Sequence, residues 1–316
     1  MKTILITIAL TFLLAGTLAW TGCSEISLGS VQDNVQKSFR VEPGGNLTLD
    51  SDSGSIEINS SALDEVHVDV EREVRATTNA QADRVLKQLD LEFRQEGKNV
   101  YIRARHPSGS FFGFGNPLRL RFSITVPRKY NLDLKTRGGS IHVRDLEGTV
   151  VAGTSGGSLH FGRIDGSVKG HTSGGSINLE EGSGPLEVDT SGGSIRIGQV
   201  NGPVTAHTSG GSISVEEVQG KIQASTSGGH ISATISKQPE GDCELKTSGG
   251  SIRVRLSRSL NVNLLASTSG GSVRADIPLT VQGEISRSRL EAKMNQGGPQ
   301  LLLHTSAGNI SIDGVQ

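Results

Sequence analysis

From residue 136 onward the chain reads apolar, polar, apolar in short bursts, and the bursts return at a near-fixed interval. Aligned on that interval, one apolar column is Ile141, Leu159, Ile177, Ile195, Ile213, Ile231, Ile252, Val273 and Ile310. A second, two residues on, is Val143, Phe161, Leu179, Ile197, Val215, Ala233, Val254, Ala275 and Ile312. The column between them is polar: His142, His160, Asn178, Arg196, Ser214, Ser232, Arg253, Arg274 and Ser311. In-out-in alternation is the pattern of a half-buried strand. A second burst follows the glycines at 148, 166, 184, 202 and 220, with the inward pairs Val150/Ala152, Leu186/Val188, Val204/Ala206 and Ile222/Ala224. Each unit therefore predicts two short strands joined by two tight turns.

The hexapeptide Thr-Ser-Gly-Gly-Ser-Ile marks one of those turns. It begins unchanged at 172, 190, 208 and 247, and in variant form at 136, 154, 226, 268 and 305. Successive copies lie 18 residues apart five times, then 21, 21 and 37. A period near 20 with glycine at fixed phase is the signature of a solenoid. Like residues then stack on like at about 4.8 Å per coil, with backbone bonds running between coils. The fold expected is all-β, a parallel β-solenoid of about eight or nine coils. The Gly pair is read as a turn that needs φ > 0. The Thr before it is in phase with the inward positions and suits a hydrogen-bonded ladder at the corner. Cys243 counts onto the inward column of Ile222 and reads as a buried structural thiol. The segment from Gly297 to Ile310 reads as a last coil, after an insertion at about residues 283–296.

Residues 39–135 are β-rich, with period two in Val66-His67-Val68-Asp69-Val70 and Leu118-Arg119-Leu120-Arg121-Phe122. One helix interrupts. Thr78 to Gln81 makes a capping-box start, and Ala82, Val85, Leu86 and Leu89 follow at helical spacing. Such a helix covers a sheet face or an open solenoid end, where a bare edge would template aggregation. Residues 23–38 read as a polar tether and 136–316 as the repeat region with its carboxy-terminal cap.

Residues 1–22 read as a targeting segment: Lys2, an apolar run from Ile4 to Trp20, then Thr21-Gly22-Cys23. The end of this run resembles a bacterial lipobox, which makes Cys23 the lipidated residue and the lipid a membrane anchor. Trp20 stands where Leu is usual, so an ordinary cut after Ala19 and an uncleaved anchor stay open. All three place the bulk of the chain in the cell envelope, and Ser24 after Cys23 fits outer-membrane sorting.

Composition sharpens this picture in three ways. Gly is 42 of 316 residues, about twice ordinary usage, and it falls at fixed turns rather than at random. Aromatics are only 3 %, as a narrow core requires. Lys plus Arg is 31 against 32 Asp plus Glu, so nothing attracts nucleic acid over long range. With Cys23 lipidated, Cys243 has no partner for an intramolecular disulfide.

Taken together, the strand end Ile124-Thr125-Val126-Pro127, the following Leu132-Asp133-Leu134-Lys135-Thr136, the hexapeptide repeats and the closing Thr305-Ser306-Ala307-Gly308-Asn309-Ile310 resemble a known bacterial family. This is the putative-adhesin β-solenoid family, a domain family of unknown function. The resemblance covers roughly residues 40–316. It implies a β-solenoid at the cell envelope and brings no shared catalytic residues.

Candidate chemistry is sparse. His171, Asp189 and His207 fall one coil apart in one outward column and are ligand types for a metal. The same column continues as Ser225 and Lys246, which suits a solvated polar stripe. Glu180 and Glu216 share a phase two coils apart, ~9.6 Å along the axis, near the upper limit for an inverting glycosidase pair. No aromatic platform for a sugar ring lies nearby. The chain has no Gly-x-Ser-x-Gly elbow, P-loop or dinucleotide fingerprint in a strand-to-helix context. No cofactor and no metal is implied. The loop Ser108 to Pro117 sets Phe111, Phe112 and Phe114 among glycines. Its rings either fold onto their own domain or form a contact patch for a partner or a membrane surface.

The expectation is therefore a non-enzymatic envelope lipoprotein that presents a rigid solenoid to a surface glycan or an envelope protein. A scaffold or sensor in envelope-stress signalling is the alternative within that class. A polysaccharide-active β-helix enzyme, using Glu180 and Glu216, is the rival from another.

Overall fold

The computed structural model describes residues 29–106, 118–282 and 286–315. Two long sheets, each of 14 strands, face one another across a single apolar core. One coil shows the plan. The strand Val204–Thr208 lies in one sheet, the chain turns a corner at the Gly pair, and Ile213–Val218 lies in the other. Each strand pairs in parallel, residue for residue, with its copy in the next coil: Ile195 with Ile213 and Ile213 with Ile231. The apolar columns face inward. Their members from Ile141 to Val254 are at most 3 % exposed. Volume is balanced within a coil: the bulkiest member, Phe161, lies over Gly170, where neighbouring coils carry Ala or Val. The Cys243 thiol is buried in line with Ile222, and burial pushes its pKa up.

Every position of the hexapeptide has a physical task at the corner. The Thr side chains point inward and are at most 7 % exposed in the repeats. Each donates its hydroxyl to a carbonyl of the neighbouring coil, as Thr190 does to Gly175 and Thr208 to Gly193, both at 2.8 Å. In seven of the nine corners the same oxygen accepts from the second Gly of its own corner, as from Gly211 N at 3.3 Å. The expected Thr ladder is present, and it runs from side chain to backbone. A second ladder lies outside it. The Ser after the Gly pair accepts, through its Oγ, the backbone N–H of the same position one coil on: Ser158 to Ser140, Ser176 to Ser158, Ser212 to Ser194. Where the repeat has His230 or Asn309 instead, Nδ1 or Oδ1 takes over as acceptor.

The reason for the Gly pair differs from the expected one. None of the paired glycines from Gly138 to Gly271 has φ in the left-handed region; only Gly54, in a degenerate first copy, does, at +111°. What excludes a side chain is the coil beneath. A Cβ on the second Gly of each pair would lie 1.9–2.1 Å from a carbonyl oxygen of the coil below, as Gly193 would from Gly175 O. The first Gly has ordinary room, with nothing nearer Gly192 than 3.4 Å.

The two ends depart from the sequence reading. Eleven coils are present among the described residues, because Asn46–Ser61 and Asn99–Pro127 each form one. Neither end is threaded in chain order. The coil 46–61 sits between 99–127 and 131–143, in register Leu47 with Val100 and with Leu132. At the other end the strands Gln300–Thr305 and Ile310–Val315 insert between the coil 243–257 and the coil 262–276. The closing segment is therefore last in the chain and next to last in space. Residues 29–38, read as tether, belong to the strand Gly29–Arg40, which pairs along its whole length with Glu65–Ala76. Backbone pairing from this segment outcompetes its polar composition. The helix Asn79–Gln88 starts as expected, with Thr78 Oγ1 accepting from Gln81 N, and it packs Ala82 against the strand Glu65–Ala76 at the amino-terminal end.

These contacts separate two neighbouring glycines. Gly193→Ala forces its new methyl into a backbone carbonyl and should lower stability by about 1–3 kcal/mol, the usual cost of overpacking. Gly192→Ala should stay within about 1 kcal/mol of wild type. Urea unfolding checks both, and equal losses in the two variants would contradict the stacking argument.

Candidate functional site

The outward columns carry whatever chemistry the slab has. In the sheet that holds Ile177–Gly182, the polar column runs Glu57, His142, His160, Asn178, Arg196 through consecutive coils. His142 and His160 stack ring on ring, with centroids 4.4 Å apart and planes 21° from parallel. Asn178 Nδ2 lies 3.1 Å from His160 Nδ1, and Arg144 holds Glu57 at 3.0 Å. This column floors an open groove of about 850 Å³, with Arg121 and Arg128 on one side and Asp145 and Glu180 on the other. Burial holds the His160 imidazole below its ordinary value, and the nearby His142 adds to the effect.

A buried ionic knot lies at the amino-terminal end of the same corner edge. Asp52 is 8 % exposed, accepts hydrogen bonds from Arg105 at 3.3 Å and from the backbone of His106 at 3.1 Å, and forms an ion pair with the exposed Arg137 at 3.3 Å. Arg105 also pairs with Asp50, whose hydrogen bond raises the guanidinium pKa. Burial lowers the pKa of His106, and Asp52 partly opposes the shift. His106 and Leu118 flank the segment that carries Phe111, Phe112 and Phe114. The three Phe, like Cys23, lie outside the described residues. The flanking strands Asn99–Arg105 and Leu118–Pro127 form one coil.

The sequence-predicted metal column is not drawn together. His171 Nδ1 pairs with Asp189 at 3.0 Å, while His207 Nδ1 turns away to Ser225 at 2.8 Å. Among the described residues no group of three or more His, Cys, Asp or Glu side chains is arranged to hold a metal ion. Glu180 and Glu216 are both exposed and line a shallow recess of about 210 Å³ with Arg163, Glu181 and Gln199. Glu181 is taken by Arg163 at 2.8 Å and Glu217 by Ser236 at 2.7 Å. Sequence reading missed two features, the His142–His160 stack and the Asp52 knot. The first was legible as two His at one phase 18 residues apart. The second draws on coils distant in sequence and left no local sign.

The profile of the toastrack family, DUF4097, matches residues 45–313. The chain belongs to that family. No curated protein sequence matches it. Solved structures similar in fold include a putative cell adhesion protein from Clostridium sporogenes, 14 % identical over 90 % of this chain and 100 % of that one, TM-score 0.24. A putative adhesin from Bacteroides fragilis is 12 % identical over 90 % and 97 %, TM-score 0.33. A putative lipid binding protein from Parabacteroides distasonis is 13 % identical over 88 % and 96 %, TM-score 0.36. At these values the likeness carries no argument about function.

The two lowered histidines give stability a pH dependence of definite sign. Below about 6.5, the unfolded chain takes up protons that folded His106 and His160 resist. Stability should therefore be level above that pH and fall as pH drops below it. Urea midpoints measured between pH 7.5 and about 5 should show the fall, and His160→Asn should make it shallower. A fall of unchanged size in that variant would remove His160 from the account.

Proposed function

We propose that this chain is a non-enzymatic binding protein of the cell envelope, anchored at the outer membrane through Cys23, that presents its solenoid to a surface glycan or an envelope protein. The observation that carries this reading is the stiffness of the outward surface. Side chains on each sheet sit in columns fixed by residue-for-residue pairing from coil to coil. A partner that meets such a surface does not have to order it first, and preorganisation of this kind favours binding over an extended face. The outward columns are mostly polar, and Leu63 and Val281 are the large apolar side chains exposed among the described residues. Apolar contact with a partner then falls to Phe111, Phe112 and Phe114.

Two experiments test the proposal. Replacing Phe111, Phe112 and Phe114 with Ser should reduce capture of envelope fractions by immobilised protein at least tenfold, about 1.4 kcal/mol, with the thermal midpoint unchanged. Capture at the wild-type level would overturn the role of the loop. Metabolic labelling with a palmitate analogue should mark the wild-type chain and leave Cys23→Ala unmarked. Equal labelling of both would overturn the anchor.

A further inference from the structure

We propose that His142 and His160 form a binding site for a borderline divalent transition ion, of the class of Cu²⁺, Ni²⁺ or Zn²⁺, with Asn178 as the residue that orients His160. The inference stands apart from the adhesion reading and uses a different column from His171, Asp189 and His207.

Three observations carry it. The first is juxtaposition. The two imidazoles occupy the same outward position of adjacent coils, His160 paired in register with His142, and their centroids lie 4.4 Å apart. Two imidazole nitrogens that share a tetrahedral ion stand roughly 3.4 Å apart, since each lies about 2.0–2.1 Å from the metal. Because imidazole lone pairs lie in the ring planes, a shared ion would turn the two rings out of their stack, by rotation about the side-chain bonds of these groove-lining residues. The second is vacancy of the donors. His142 takes part in the ring stack and in no hydrogen bond, and His160 uses only Nδ1, towards Asn178. Both nitrogens of His142 and Nε2 of His160 are thus without a hydrogen-bond partner, and both residues line the groove, His142 exposed and His160 half-buried. Imidazole nitrogen suits borderline ions, and calcium and magnesium prefer oxygen.

The third is a supporting partner. A metal-bound imidazole commonly donates its other ring N–H to an oxygen, which fixes tautomer and orientation. Asn178 lies 3.1 Å from His160 Nδ1. Its amide presents Nδ2 there now, and rotation by half a turn presents Oδ1 instead. The exchange converts His160 to the tautomer whose Nε2 is free for a metal. Glu57, the register partner of His142 on its other side, lines the same groove, but its carboxylate is taken by Arg144 at 3.0 Å. The remaining coordination positions face the open groove and belong to water.

The test is calorimetric titration of the full chain, free of any histidine tag and stripped with chelator, with Cu²⁺ and Zn²⁺ at pH 7.5. One equivalent should bind per chain, and Ca²⁺ and Mg²⁺ should give no heat at this site. His142→Ala should abolish that equivalent; its ring is exposed and unbonded, so folding is unaffected. His160→Ala should do the same. Asn178→Ala should weaken binding roughly tenfold, the usual loss for an outer-shell partner, and His171→Ala should leave it unchanged. Electron paramagnetic resonance of the Cu²⁺ form should show two imidazole nitrogens in the wild type. Stoichiometry unaltered in His142→Ala, or a single coordinated nitrogen in the wild type, would overturn the proposal.

Discussion

The carbonyl oxygen of one corner glycine points at the α-carbon of the corner glycine in the next coil, and a Cβ there would sit about 2 Å from it. That contact recurs from Gly139 to Gly271 and sets the distance between coils. Once it is set, the other bonds of the corner follow. The Thr hydroxyl falls within 2.7–2.9 Å of the same glycine carbonyl. The Ser Oγ meets the backbone N–H of the adjacent coil. The strands leave the corner in register, so Ile lies on Ile and Thr on Thr for the length of the slab. A buried polar group left without a partner costs about 1–3 kcal/mol; every corner satisfies its Thr once through the donated bond, and seven of the nine do so twice. The corner thus combines a steric requirement that only glycine meets with two ladders that hold the coils at that spacing.

A repeat that stacks is exposed at both ends, where the last coil has a partner on one side only. This chain protects its ends by threading. The first and the last coils in sequence are each inserted one place in from the edge, where neighbours pair with both of their sides. Excursions of the chain then extend the sheets beyond the coils: Glu65–Ala76 and outside it Gly29–Arg40 in one sheet and Asp90–Glu96 in the other at one end, Arg289–Met294 and outside it Thr280–Val281 at the other, all antiparallel to their neighbours. The outer strand Gly29–Arg40 carries Asp33 and Lys37 on the same face as Val31, Val35 and Phe39. Asp33 is neutralised by Arg72. Inward-pointing charge on an edge strand discourages addition of a further strand. The helix Asn79–Gln88 adds cover at the same end.

The interior of the slab was legible in the sequence because every coil repeats the same local demands. Column composition marked the inward and outward faces, and the period marked the stacking. The Thr position predicted its ladder for the right reason; the Gly pair predicted a corner for the wrong one. Positive φ is a local property that turn chemistry suggests, whereas the clash that excludes Cβ comes from a residue 18 positions away. The ends were less legible for the same cause. Ser51-Asp52-Ser53-Gly54-Ser55-Ile56 is a degenerate copy of the hexapeptide and marks the hidden first coil. Its placement between two later coils leaves no periodic trace. The insertion of Gln300–Val315 showed only as a spacing of 37 between the last two copies.

Regularity also constrains where recognition can reside. A surface that repeats every coil offers a ligand many equivalent positions and discriminates poorly among them. Specificity in such a molecule belongs where the repeat is broken. The breaks are few among the described residues. Two imidazoles replace the shorter or longer polar side chains of the column in adjacent coils. The Asp52 knot replaces a Thr-Ser-Gly-Gly corner. The insertion 236–242 lengthens one coil. The first two lie towards the amino-terminal end, over coils that share register through Glu57, His142 and Thr136. Chain threading, which keeps this end paired, therefore also keeps its irregular side chains on a rigid base, and that places both the Asp52 knot and the imidazole pair where the slab is least repetitive.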